Sequence, residues 1–202
     1  MAVLLPPADL GSRFSLPTVE LRPGNWWRLA SVLRPNLIDW DGRSGESRFV
    51  SVSGGHEVLY LAADKRTAFW EVFSERLLSL APADRVLLPD VLDARRWIRF
   101  DVPPNLKVFD ATEIKALRAI GASNMCFHGD FALSQVWADA VWNHPEAVDG
   151  ILYRSDKNRN KCVSLFRRTT QPRLELIIAK DQGLLGHDVT FLSALRRGGL
   201  LG

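Results

Sequence analysis

Apolar residues along this chain fall into short runs separated by turn residues, interleaved with four stretches that read as helices. Trp26-Trp27-Arg28-Leu29-Ala30-Ser31-Val32 is rich in aromatic and branched side chains and predicts a strand. Glu57 to Ala62 predicts a second strand, and Asp64 is placed to cap a helix from about Arg66 to Leu80. On that helix Phe69, Val72, Phe73, Leu77 and Leu80 gather on one side at about 100° per residue, which leaves Glu71 roughly opposite and away from the core. Val86 to Leu92 and Trp97 to Val102 read as strands, and Asp110 as the cap of a helix through Ile120 that Gly121 stops. Asp130 to Asn143 has an apolar stripe of Phe131, Leu133, Val136, Trp137, Ala140 and Val141. Strand signals then dominate at Gly150 to Tyr153, Cys162 to Phe166 and Leu174 to Ala179, before a closing helix from Val189 to Arg197 that ends at Gly198-Gly199. With no internal repeat, this order predicts an α+β fold, a mixed β-sheet core flanked by helices.

Residues 1 to 24 carry Pro6, Pro7, Pro17, Pro23, Gly11 and Gly24, a composition that favours an extended N-terminal arm lying on the body or on a partner. The remainder, residues 25 to 202, is expected to form a single domain, because 202 residues at 47% hydrophobic content suffice for one substantial core. A formal charge of +3, from 26 basic and 23 acidic residues without a long basic run, argues against general nucleic-acid binding. Cys126 and Cys162 match no zinc spacing and cannot make a disulfide framework, so both are expected as reduced core thiols. The start MAVLLPPADLGSRF lacks a basic leader and is broken by Pro6-Pro7, and no apolar run is long enough for a bilayer; the expected compartment is the cytoplasm.

Candidate chemistry is thinly spread. His56, His128, His144 and His187 show no ligand spacing, so no metal site is expected. Ser53-Gly54-Gly55-His56 lacks both nucleotide-loop patterns and reads as a turn. The loop Asp156-Lys157-Asn158-Arg159-Asn160-Lys161 could meet an anion or a protein partner, although solvation explains it more simply. The seven tryptophans sit mostly in amphipathic segments and are assigned to packing. Arg48, Glu71 and Ser155 stand in three separate ordered-looking segments. Taken singly, a surface glutamate is solvated and a serine at a strand end belongs to a turn; no G-x-S-x-G elbow surrounds Ser155, so a hydrolase triad fails. Taken jointly, with Tyr60 ending a strand eleven residues before Glu71, they predict one site.

Four pieces in order, Trp27-Arg28-Leu29, Ser47-Arg48-Phe49, Val58-Leu59-Tyr60-Leu61-Ala62 through Thr67-Ala68 to Glu71, and Asp149-Gly150-Ile151-Leu152-Tyr153-Arg154-Ser155 followed by Val163-Ser164-Leu165-Phe166, make the chain from about Trp27 to Phe166 resemble the RES domain family, named for its Arg, Glu and Ser. The resemblance implies a toxin of a bacterial toxin–antitoxin pair with an ADP-ribosyltransferase-like fold. It implies cleavage of the nicotinamide N-glycosidic bond of NAD+ by phosphorolysis or hydrolysis, and an antitoxin partner with a helix-turn-helix domain. The family's arginine, tyrosine, glutamate and serine fall on Arg48, Tyr60, Glu71 and Ser155, with Arg28 as a second basic contact. Where many members have Gly-x-Arg-Trp-Asn, this chain has Glu46-Ser47-Arg48-Phe49-Val50, without the asparagine.

The residue chemistry fits that implication. Guanidinium forks at Arg48 and Arg28 suit a pyrophosphate. A carboxylate at Glu71 suits the positive charge that develops on a ribose as neutral nicotinamide departs, with no acid needed for the leaving group. Tyr60 offers a ring face to nicotinamide, and the Ser155 hydroxyl can orient the carboxylate or the ribose; neither is a covalent nucleophile. NAD+ is then substrate and not cofactor, with phosphate a possible co-substrate. Arg154, Lys157 and Arg159 could face an acidic partner segment. Two other readings stand beside this one: a mono-ADP-ribosyltransferase with a protein acceptor, and a protein-binding module without catalysis. In a purely structural reading, separate from both, Tyr60 packs, Glu71 is solvated and Ser155 caps a turn. All the enzyme readings require the four residues to line one cleft.

Overall fold

A computed structural model describes residues 4–42, 47–81, 84–128, 130–168 and 172–200. Among them the strands are β1 (Thr18–Leu21), β2 (Gly24–Ser31), β3 (Val58–Ala62), β4 (Arg95–Val102), β5 (Leu106–Asp110), β6 (Gly150–Arg154), β7 (Lys161–Phe166) and β8 (Ile178–Leu184). They join one curled sheet in the order β1-β5-β6-β7-β3-β2-β4-β8. Every pairing is antiparallel except β5 with β6, so the fold is α+β with a mixed sheet, as the sequence predicts. The helices are α1 (Leu10–Arg13), α2 (Lys65–Leu78), α3 (Pro89–Asp93), α4 (Ile114–Ala119), α5 (Met125–His128), α6 (Phe131–Trp142) and α7 (Val189–Arg197).

Alternation along the strands divides the core into two layers. Val58, Ala62, Trp97, Ile151 and Phe166 face the helices and meet Phe69, Phe73 and Leu77 of α2 and Trp137 of α6. Leu59, Leu61, Ile98, Phe100, Val163 and Leu165 face the other way, inside the curl, where Leu174 and Ile177 cover them. Val58, Leu59, Leu61 and Ala62 are all buried, so β3 is central and reads as a continuous apolar run. The predicted caps form: Asp64 accepts from the Thr67 N–H at 2.7 Å and Asp130 from the Ala132 N–H at 3.0 Å. On α2 the expected inward stripe holds for Phe69, Phe73 and Leu77, whereas Val72 is 36% exposed and Leu80, past the helix end, 38%.

Three segments differ from the sequence reading. Val86 to Leu92 makes no strand: Pro89 starts α3 at its first turn, and Val86 and Leu88 stay exposed without a ladder partner. Leu174 to Ala179 splits into a 3-10 turn over Pro172–Leu176 and the start of β8, with Leu174 and Ile177 buried three apart. Asp110 caps no helix through Ile120; it closes β5, and its carboxylate takes the Thr112 N–H and hydroxyl at 2.8 and 2.6 Å before α4 begins at Ile114. The proline-rich start, expected without regular structure, supplies α1 and the edge strand β1. It lies on the body, where the Leu4 carbonyl accepts from Trp137 Nε1 at 2.8 Å and Glu146 accepts from the Leu16 N–H at 2.9 Å.

One pairing controls the site. Among the described residues β2 meets β3 through the single pair Trp27–Ala62, although β2 continues to Ser31 and stays paired with β4 throughout. Asp41 instead bridges Val58, so the connecting segment enters between the two strands and holds them apart. On the far side of β3, the β6–β7 ladder is packed too tightly for any side chain at Gly150. A Cβ there would overlap the Ser164 carbonyl oxygen and lie 2.9 Å from Leu165 Cα. Gly150→Ala is therefore expected to lower stability by at least about 2 kcal/mol, read as a shift in urea midpoint; an unchanged midpoint would mean that the strands are not in this register.

Candidate active site

The parting of β2 and β3 opens a cavity of about 770 Å3, walled by α2 on one side and by β2, β3 and the segment around Arg48 on the other. Arg28, Arg48, Tyr60 and Glu71 all reach its wall. Ser155 does not: it is fully buried directly behind Glu71, and its Oγ donates to Glu71 Oε1 at 2.5 Å. The same Oγ accepts from the Lys157 N–H at 3.1 Å, which fixes the direction of the hydroxyl. Glu71 thus stands on the open side of α2 as expected, and one oxygen of its carboxylate is tethered from behind.

Arg48 follows β2 on an irregular segment that is pinned at several points. The Phe49 N–H donates to the Tyr60 hydroxyl at 2.8 Å, and the Phe49 carbonyl accepts from His56 Nε2 at 2.9 Å. Gln135 Nε2 donates to the Ser47 carbonyl at 2.8 Å. The guanidinium itself donates to the Phe127 carbonyl at 3.1 Å and to Asp156 Oδ2 at 2.6 Å, and lies over the Phe131 ring at 5.2 Å. Asp156 also accepts from His128 Nδ1 at 2.6 Å, so one carboxylate holds both side chains in place. Val50 is fully buried in the apolar core, and Glu46 lies outside the described residues.

Arg28 points through the gap in the sheet. Its Nη1 donates to the Asp39 carbonyl at 2.7 Å. Desolvation by burial, with Arg34 nearby, pulls its pKa down to about 10. It still carries its charge at neutral pH, in surroundings that an anion would relieve. Burial pushes the Tyr60 phenol well above its ordinary value, so it stays protonated and serves as a fixed hydrogen-bond partner and ring face. Burial likewise pushes the Cys162 thiol up, which makes that cavity-lining cysteine unreactive, and both cysteines are free.

The loop after Ser155, which the sequence allowed to be merely solvated, is bound inward. Asn158 donates to Thr67 Oγ1 at 2.9 Å, Asn160 donates to Asp64, and Asp156 holds Arg48 as above, while Lys157 lines the cavity. Sequence reasoning missed Asp156, His128, His56 and Gln135 as supports of Arg48. No spacing marks them, because His128 and Asp156 lie 28 residues apart and meet only through the fold.

These features define a nucleotide-sized cleft lined by four arginines, Arg28, Arg34, Arg48 and Arg95, with the carboxylate of Glu71 held in orientation, in a curled α+β sheet. Residues 25–188 match the RES domain, and the chain belongs to the RES domain family. Its fold is similar to a chain in the crystal structure of the M. tuberculosis MbcT-MbcA toxin-antitoxin complex, with 20% sequence identity, a TM-score of 0.59, and coverage of 82% of this chain and 87% of that one. Among curated proteins none matches this chain. No helix in the described residues is long and apolar enough to cross a membrane.

Two expectations follow. A double-mutant cycle over Arg48→Ala and Asp156→Ala should give a coupling of about 1 kcal/mol in urea unfolding, reduced from the buried-pair range because the Asp156 side chain is 28% exposed; additive effects would show that the pair is not formed. Burial holds His56 below its ordinary value, against the pull of the Phe49 carbonyl and Asp139. Below about pH 6.5 the unfolded chain takes up a proton that the folded protein refuses, so stability should fall by up to about 1.4 kcal/mol per pH unit from this group. The loss between about pH 7 and about pH 5.5 should shrink in His56→Gln, and an identical loss in both proteins would assign it elsewhere.

Proposed function

We propose that this protein is a toxin-type enzyme that degrades NAD+ by cleaving the nicotinamide N-glycosidic bond, and that an antitoxin with a helix-turn-helix domain neutralises it. The observation that carries the reading is the Glu71 carboxylate, held by Ser155 at 2.5 Å, on the wall of a cavity that also presents Arg28, Arg48 and Tyr60. Membership of the RES domain family and the likeness to a chain of a toxin–antitoxin complex support it.

In this mechanism Arg48 and Arg28 take the pyrophosphate through their planar guanidinium groups. The Tyr60 ring packs against nicotinamide. The bond from ribose C1′ to the ring nitrogen breaks with its electron pair going to nicotinamide, which leaves neutral. Positive charge develops at C1′ and O4′, where the Glu71 carboxylate stabilises it and accepts a ribose hydroxyl. Ser155 keeps that carboxylate turned to the cavity, so its role is orientation. An oxygen of phosphate or water then bonds to C1′ and releases its proton, giving ADP-ribose phosphate or ADP-ribose. A cytoplasmic site of action belongs to the same proposal, because the substrate is a metabolite pool. The Ser155 hydroxyl reaching Glu71 from 84 residues away disfavours the reading in which Glu71 is merely solvated.

Glu71→Ala should lower kcat for NAD+ loss by about 100- to 1000-fold and change KM far less. Labelled NAD+ with phosphate identifies the acceptor: ADP-ribose phosphate means phosphorolysis, ADP-ribose hydrolysis, and labelled protein a mono-ADP-ribosyltransferase. No NAD+ loss with wild-type protein would leave only the binding module.

A further inference from the structure

The cavity continues past Glu71. Lys65, at the start of α2, lies over the Trp27 ring at 4.9 Å, while Leu78, at its end, shares the cavity with Ser31 and Arg95. Helix α2 and strand β2 therefore run in the same direction and form the two sides of a trough. The four residue steps from Trp27 to Ser31 along the strand span about 13 Å, and the seven steps from Glu71 to Leu78 along the helix span about 10 Å. Arg95 pairs directly with Ser31 in the β2–β4 ladder, so it enters this far arm from the sheet side. Glu75, one turn beyond Glu71, enters it from the helix side.

These two side chains differ from the other charges of the cavity. Arg28 and Arg34 are committed to Asp39, and Arg48 to Asp156. Glu75 and Arg95 make no side-chain hydrogen bond or ion pair among the described residues, although they face one arm and carry opposite charges. That arm also has the apolar Leu78 on its wall. A carboxylate that accepts from hydroxyls, a planar guanidinium that stacks on an aromatic ring, and an adjacent apolar contact together suit a nucleoside. Around Glu71 the cavity is lined instead by Tyr60, Tyr153 and Cys162.

We propose that the arm between Glu75 and Arg95 is a nucleoside subsite that takes the adenosine end of the dinucleotide, with Glu75 accepting from ribose hydroxyls and Arg95 stacking on the base. This rests on reading the Glu71 arm as the nicotinamide end and Arg28 as a phosphate contact. The test compares NAD+ with nicotinamide mononucleotide, which has the same scissile bond but no adenosine, and measures AMP binding by calorimetry independently of turnover. Glu75→Ala, Glu75→Gln and Arg95→Ala should each weaken AMP binding and raise KM for NAD+ by about tenfold, while kcat/KM for the mononucleotide stays within about twofold of wild type. Failure of wild-type protein to bind millimolar AMP overturns the subsite. So do variants that bind AMP as wild type does, or that lose NAD+ and mononucleotide turnover equally. If wild-type protein leaves NAD+ intact while AMP binding still depends on Glu75 and Arg95, the subsite stands and the NAD+-degrading reading falls.

Discussion

The structure turns on a ladder that is left unfinished. Strands β2 and β3 share one residue pair, Trp27–Ala62, and Asp41 takes the Val58 backbone groups that a longer β2–β3 ladder would have used. Because those groups are paired, opening the sheet costs no orphaned donor at that point. The gap then does two things that a closed sheet cannot. It makes a cavity in the middle of a well-packed core, and it gives Arg28, which points to the opposite face from Trp27, access to the same space.

Two cations in that space, Arg48 and Arg28, are held by a carboxylate or a carbonyl. Arg48 has Asp156 and the Phe127 carbonyl; Arg28 has the Asp39 carbonyl. A guanidinium has five donors in a fixed fork, so anchoring one or two of them orients the rest without neutralising the group. The same logic applies to Glu71, where Ser155 occupies one oxygen. Orientation is prepaid in the folded state, and a ligand need not order these side chains itself.

How much of this the sequence discloses depends on the range of the signal. Period and cap chemistry are local, and they locate β2, β3, α2, α6, β6 and β7 closely, down to Asp64 and Asp130 as caps. They fail at Leu106–Asp110 and at Thr18–Leu21, two short strands defined by pairing with distant segments: the first lies between β1 and β6, and the second closes the sheet edge against it. They fail also at Val86 to Leu92, whose branched residues suit a strand but find no partner, so Pro89 decides. The lead residues of the site were legible through a family pattern and simple chemistry. Asp156, His128 and His56 were not, since each acts by a contact spanning a distance in sequence that no motif encodes.

The two flanks of the cleft differ in stiffness. On one, Asp64 receives both the Thr67 N–H and Asn160, Thr67 receives Asn158, and Ser155 joins Glu71, so the start of α2 and the 155–160 loop form one cross-linked block. On the other, residues 35 to 42 are fastened by Arg28, Arg34 and the short Asp41–Val58 bridge, with Leu37, Ile38 and Trp40 only partly buried. The carboxylate of the cleft thus stands on a helix end and a loop that are cross-linked to each other, so its position is set by two chain segments at once.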